Sequence, residues 1–329
     1  MVLAKLRSGC EYCEVNHLNC RVEFPIIGNP GERMPKQHPD TPASVLGRHL
    51  RILDTFEAGT AFLSLTEIAD RSGLPMTTVH RLVGELERER LLERLPDRSY
   101  QLGLRLWELA ARTPRAMGLR ELAAPMVQLV QSQVRQHTQL GVDGGNDVVY
   151  LDRLSQADAV VNATIVGGRI SLGASAIGHV LLSGASRSDI AQLVKAGIPR
   201  YTTYTPQTVE HLVDLVGAAR QNGYAVADGF VHPAARGMAA PVYGLDGDVL
   251  AGLGVVVPAD EPVNMRIVDL LRHAAHGVSQ QMRSAYIDPE HPNALPGAKF
   301  RVLVNSSRSS MQYFADHAVD NLRVETYNP

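Results

Sequence analysis

Cysteine is nearly missing from this chain of 329 residues: there are three, Cys10, Cys13 and Cys20, all at the N-terminal end. None is left to cross-link the remainder, which excludes a secreted disulfide framework. No apolar run approaches the about 18 to 20 residues of a membrane-spanning helix, and Lys5, Arg7 and Glu11 interrupt the stretch where a signal peptide would need its apolar region. The expected location is therefore the cytoplasm, with no membrane partner. An excess of one charge is lacking too. Lys plus Arg number 32 against 34 Asp plus Glu, a net −2, so the chain is no polycation, and any contact with nucleic acid must come from a local patch. What is present is a 45% hydrophobic content, enough for a buried core, on a length that suggests about two domains.

Pattern divides the chain further. Pro25, Gly28, Pro30, Gly31, Pro35, Pro39 and Pro42 punctuate a segment without helical or strand period, so residues 1–41 are expected to form a flexible leader. Apolar residues then recur at three and four from Val45 to Phe56, the spacing of an amphipathic helix. A short helix from Leu65, with Thr66 as its cap, turns at Gly73 into a second one over Met76–Leu86. Two helices across a glycine turn make a helix-turn-helix, and the extended segments around Pro96-Asp97-Arg98-Ser99 supply a wing. This domain is assigned to residues 42–104. A linker helix over 105–118 follows, with a break at Pro114 and a restart near Leu119 that runs to about His137.

From 138 to about 285 strand-like and helix-like segments alternate. Hairpins are expected over 141–151 and 241–257, helices near 176–184, 186–195, 208–221 and 263–284. Hairpins mixed with helices imply an antiparallel sheet covered by helices, and the fold class is α+β. Residues 286–329 read as a tail of low order, with an edge strand at Phe300–Val304.

The second helix of the pair carries the chemistry of a duplex-reading surface. Met76, Thr77, Thr78 and His80 stand at its N-terminal end with short polar groups for phosphates or base edges, and Arg81 has the planar fork suited to guanine or phosphate. Arg94 and Arg98 on the wing would extend that surface. A helical pair that merely packs is the alternative, and the wing argues against it. Between 42 and 103 eight arginines face nine carboxylates, so binding requires the signs to segregate, with the glutamate-rich end of the helix turned away. Two patterns could carry other chemistry. Gly173-Ala174-Ser175-Ala176-Ile177 resembles the nucleophile elbow of an esterase but has Ile177 where the turn wants glycine. Cys10, Cys13, His17 and Cys20 could close a tetrahedral zinc site. No cofactor is expected.

The sequence resembles the isocitrate lyase regulator (IclR) family of bacterial transcription factors between about Ser44 and Ser284. The resemblance rests on Gly73-Leu74-Pro75-Met76-Thr77-Thr78-Val79-His80-Arg81-Leu82, Tyr100-Gln101-Leu102-Gly103, Val166-Gly167-Gly168-Arg169 with Ala174-Ser175-Ala176-Ile177-Gly178, Arg220-Gln221-Asn222-Gly223-Tyr224-Ala225, and Met238-Ala239-Ala240-Pro241-Val242, in order and spacing together. It implies a winged helix-turn-helix, a linker helix and a GAF-like effector-binding domain over 119–285, in dimers or dimers of dimers on operator DNA. The function implied is that of a ligand-responsive regulator, read here as a repressor. A GAF-like esterase using Ser175, or an adaptor that no longer touches DNA, are the alternatives.

Ser175 can cap a helix beginning at Ala176, leaving the amides of Ala176 and Ile177 as donors, and the resemblance places effectors at this turn. Positions that the family fills with polar side chains correspond to Ala227, Gly237, Gly254 and Val256, an acidic one to Phe230 with Asp228 nearby, and two flanking ones to Ser171 and His179. A roomy, apolar pocket for an aromatic or lipid-derived acid or ester is the expectation.

Overall fold

The computed structural model describes residues 44–57, 60–111, 113–244 and 246–285. The cysteine-histidine cluster, the leader, and the segment from 286 with its expected edge strand lie outside them. Helix α1 (Val45–Leu53) opens on Ser44, whose Oγ accepts from the Gly47 amide at 3.0 Å. Helix α2 (Leu65–Ser72) is capped by Ser64 rather than by Thr66. The Ser64 Oγ accepts from the Glu67 amide at 3.3 Å, and Glu67 accepts from the Ser64 amide at 2.8 Å. That reciprocal box satisfies two orphan donors, where a cap at Thr66 would lack a glutamate three residues on. Gly73, at φ 64°, ends α2 in the left-handed region where a glycine carries no steric penalty.

Helix α3 (Met76–Arg88) starts directly after Pro75 and buries Val79, Leu82, Val83 and Leu86 on one face. These pack with Ile52, Leu63, Ile68 and Leu92 into a separate small core; each such side chain stabilises by about 1.5–3 kcal/mol. Strands β1 (Leu92–Arg94) and β2 (Tyr100–Leu102) pair antiparallel as the wing. Leu63 exchanges both backbone hydrogen bonds with Tyr100, at 3.0 and 2.8 Å, which ties the wing to the segment before α2.

Helix α4 (Leu104–Ala111) buries no residue, and its Trp107 is 65% exposed. Helix α5 (Pro114–Val134) begins at Pro114 instead of breaking there, because proline at the first helical position has no amide to lose. It stops at Arg135, φ 57°, two residues short of the expected His137, which belongs to the next strand.

Six antiparallel strands follow: β3 (His137–Asp143), β4 (Asp147–Leu154), β5 (Arg169–Ser171), β6 (Ala225–Asp228), β7 (Ala235–Tyr243) and β8 (Val249–Pro258), ordered β5-β4-β3-β8-β7-β6. The β3–β4 and β7–β8 hairpins are those expected. Their junction at the sheet centre, with Gln139 opposite Gly254, joins segments over a hundred residues apart. On one face α5 and α9 (Met265–Ala285) bury Leu140, Met238, Ala240 and Leu253. On the other lie α6 (Ala176–Leu181), α7 (Arg187–Ala196) and α8 (Val209–Asn222), over Val148, Tyr150, Ala227 and Ala239. Helix α6 sits close to the sheet because β8 offers glycine beneath it: a Cβ on Gly252 would stand 2.7 Å from Ile177.

Candidate functional site

Two surfaces collect the candidate residues. On the first, Met76, Thr77, His80 and Arg81 are exposed along the N-terminal half of α3 and Thr78 is half-buried, while Arg94 and Arg98 are exposed on the wing. This follows from the burial of Val79, Leu82 and Val83, which rotates the intervening residues outward. Asp97 Oδ1 accepts from the Ser99 amide at 2.9 Å and shapes the wing turn, where Arg98 takes φ 68°. The Arg94 guanidinium lies 5.8 Å from the centre of the Tyr100 ring, a cation–π contact that directs it.

One glutamate, Glu85, departs from the expected segregation of charge, whereas Glu89 is paired with Arg105 on α4. Arg81 is ion-paired with Glu85 one turn on, so the glutamate is held against the reading surface rather than turned away. Glu85 also accepts from His49 Nε2 at 2.8 Å, and His49 Nδ1 lies 2.8 Å from the Val45 carbonyl. Partial desolvation raises the Glu85 pKa, but the bond from His49 and the charge of Arg81 outweigh it and leave the carboxyl below its usual range. Sequence pattern missed His49 because it is distant in the chain and on a different helix.

The second surface is a cavity of about 550 Å³, including its open mouth, between the sheet and α6. Ser175, Ala176, Ile177, Ala227, Gly237, Gly254 and Val256 all line it. The register explains the convergence: Ala227 pairs with Gly237 and Gly237 with Val256, so the three share one face across β6, β7 and β8. The Gly237 position is open, since a Cβ there would meet Ala176 and Ala227 only at 3.5 and 3.8 Å. Gly254 is not, because a Cβ would come within 2.9 Å of the Met238 carbonyl.

Asp228 is not part of the wall. It follows Ala227 on the strand, points to the opposite side by alternation, and grips Arg236 with two bonds of 2.8 and 2.9 Å. Phe230 packs behind the wall against the rings of His179 and His211, at 5.9 and 6.3 Å between centres. His179 is fully buried, and burial lowers its pKa to about 4 despite its Nε2 bond to the Gly173 carbonyl at 3.0 Å.

Polar residues of the wall that sequence reasoning did not single out are Gln139, Tyr150, Asn162, Thr164 and His232. Gln139 could have been flagged as a polar side chain on a strand of a buried sheet. Burial pushes the Tyr150 phenol well above its usual range, and a hydrogen bond with Ser175 offsets part of that, so it stays protonated. Ser175 accepts from the Gly178 amide at 3.0 Å. His179 turns its Nε2 to a backbone carbonyl instead of to Ser175, so the pair has no nucleophile–base geometry.

The segment after β4 is strapped onto the sheet. His137 Nε2 lies 2.5 Å from the Val160 carbonyl, Gln136 accepts from the Val160 amide at 2.9 Å, and Arg153 donates to the Thr164 carbonyl at 2.5 Å. Burial lowers the pKa of His137, which keeps the ring neutral in this role.

A winged helix-turn-helix joined to a cavity-bearing domain defines a ligand-binding transcriptional regulator. Residues 45–96 match the family described as "IclR helix-turn-helix domain" and residues 112–280 the one described as "Bacterial transcriptional regulator IclR C-terminal". The chain belongs to the IclR family of bacterial transcriptional regulators. An IclR homolog from Microbacterium hydrocarbonoxydans, crystallised with 4-hydroxybenzoate, is 37% identical with a TM-score of 0.69, covering 73% of this chain and 100% of that one. The HTH-type transcriptional regulator XynR of Escherichia coli is 28% identical over 212 residues, 63% of this chain and 83% of its own. BhcR of Paracoccus denitrificans, another HTH-type transcriptional regulator, is 29% identical over 215 residues, 65% of this chain and 77% of its own. These relatives regulate transcription, and the protein is a regulator rather than an enzyme. No helix of the described residues is long and apolar enough to cross a membrane.

Proposed function

We propose that the protein is a repressor which binds a pseudo-palindromic operator as a homodimer or a dimer of dimers, and that its cavity takes a small aromatic acid of the 4-hydroxybenzoate type as effector. The observation that carries the reading is the wall itself: Ala227, Gly237, Gly254 and Val256 make a mostly apolar lining, with Gln139, Tyr150 and Asn162 as its polar groups, which suits an aromatic ring with polar ends. A relative 37% identical over its full length binds such a molecule. On DNA, the α3 helices of two protomers enter successive major grooves, about 34 Å apart. Arg81 then exchanges Glu85 for a phosphate or a guanine edge, while Thr77, Thr78 and His80 reach the backbone or bases, and Arg94 and Arg98 follow from the wing. The effector weakens this complex only by binding the DNA-free geometry better.

The test is an electrophoretic mobility assay on the region upstream of the protein's own coding sequence. Wild type should shift it in a salt-dependent manner, 4-hydroxybenzoate should release it, and Arg81→Ala should lose about 1–3 kcal/mol of binding. A shift that survives Arg81→Ala unchanged removes α3 from the interface.

A further inference from the structure

We propose that Asn162 selects for an anion in this cavity: its side-chain amide presents donors alone, and these meet a carboxylate on the ligand. The proposal rests on the cavity being the effector site. Asn162 Oδ1 is fully engaged, accepting from the Thr164 amide at 3.0 Å and the Thr164 hydroxyl at 2.9 Å. A backbone N–H can only donate, so it fixes which end of the Asn162 amide is oxygen. The Nδ2 atom at the other end is buried with no hydrogen-bond partner among the described residues. Buried donors are rarely left so, and one in the wall of a ligand cavity is a place where the ligand completes the bond.

The surroundings favour an acceptor that is also negative. His232, from the neighbouring wall, uses Nδ1 to accept from the Ala234 amide at 3.2 Å, so its neutral ring carries the proton on Nε2 and is a second donor. No Asp or Glu belongs to the described lining. The Arg153 guanidinium, bonded to the Thr164 carbonyl, stands behind the same loop and adds positive potential. The straps from His137, Gln136 and Arg153 hold the segment in place before any ligand arrives, so little ordering is left to oppose binding.

Calorimetric titration of the full chain with 4-hydroxybenzoate and with its uncharged methyl ester tests this. Wild type should bind the acid at least about tenfold more tightly than the ester. Asn162→Asp keeps the size and the acceptor for Thr164 but replaces the donor by a negative oxygen; it should weaken the acid about 10- to 100-fold and the ester much less. Asn162→Ser, which removes the amide without adding a charge, should lose about tenfold on the acid and little on the ester. Unchanged acid affinity in the folded variants, or an equal loss on acid and ester, overturns the assignment of Asn162 and leaves the cavity reading standing. Wild type that binds neither compound overturns both.

Discussion

Gly237→Val puts the cavity to its most direct test. Gly237, the third residue of β7, faces the void, and its missing Cβ would meet only Ala176 and Ala227 at 3.5 and 3.8 Å, ordinary contact distances. The first carbon therefore costs nothing, and the two methyl groups beyond it must occupy space otherwise left to ligand. Valine also suits a strand better than glycine, so the unliganded variant should be as stable as wild type or up to about 1 kcal/mol more so. For wild type, a ligand at one hundred times its dissociation constant adds about 2.7 kcal/mol. In a domain of this size that is a rise of roughly 5–11 °C in the melting midpoint, at about 2–4 °C per kcal/mol. Differential scanning fluorimetry of the full chain across a 4-hydroxybenzoate series should show that rise in wild type. The variant should lose most of it while still shifting DNA. An undiminished rise in Gly237→Val would mean that the ligand lies elsewhere, and the account of the wall would be wrong.

Three further outcomes follow from the same structure. His179 has its folded-state pKa lowered to about 4 by burial, so stability is full above the unfolded value of about 6.5 and falls as the pH drops toward the folded one, by roughly 2–3 kcal/mol between pH 7.5 and 4.5. His179→Phe should flatten that part of the curve in urea titrations, and an unchanged slope would refute the assignment. Glu85→Gln removes the carboxylate that holds Arg81 and should raise DNA affinity and steepen its salt dependence by up to about one released counterion; weaker binding would contradict the pairing as a restraint. Thr138→Val deletes the bond from Thr138 to Gln131 on α5, and should leave ligand affinity within about twofold while reducing the ligand's effect on DNA binding, which is typically worth about 1–3 kcal/mol.

Periodicity alone made the helix pair legible, because a small domain has little but an apolar stripe to hold it: Val79, Leu82, Val83 and Leu86 fix the face of α3 and thereby the exposure of Thr77 and His80. The pairing of Arg81 with Glu85 was equally local, at four residues' separation, but side-chain direction on a half-exposed face is set by the neighbour on α1, His49, which no local pattern reveals. Ser175 and the small residues of β6, β7 and β8 were placed through motif resemblance, and the register brings them together. Asp228 fell outside for a simple reason: adjacent strand residues point to opposite faces, so if Ala227 lines the cavity then Asp228 does not. Strands β5 and β6, three and four residues long, carried too little pattern to register. Asn162 lies in a segment without regular structure, positioned by bonds from His137, Gln136 and Arg153 that are tertiary throughout.

If the cavity is the effector site, the sheet separates the ligand from its output. The cavity opens on the α6 side, whereas α5, which continues the chain from the DNA-reading domain through α4, packs on the far side with α9. A ligand can alter α5 by acting through the strands, or through the 160–164 segment, whose Val160 amide donates to Gln136 directly after the end of α5. Strand β3 is the nearest route, because Gln139 lines the cavity while its neighbour Thr138 donates to Gln131 of α5 at 3.0 Å. Neighbouring residues on a strand face opposite ways, so any displacement of Gln139 by a ligand is a displacement of the Thr138 backbone as well. Arg120 of α5 makes a second tie, 3.6 Å from Asp152 on β4. A tightly packed sheet transmits such a shift instead of absorbing it. The free energy available to move α5 is then bounded by how much better the ligand fits one arrangement of β3 than the other, whatever its total affinity.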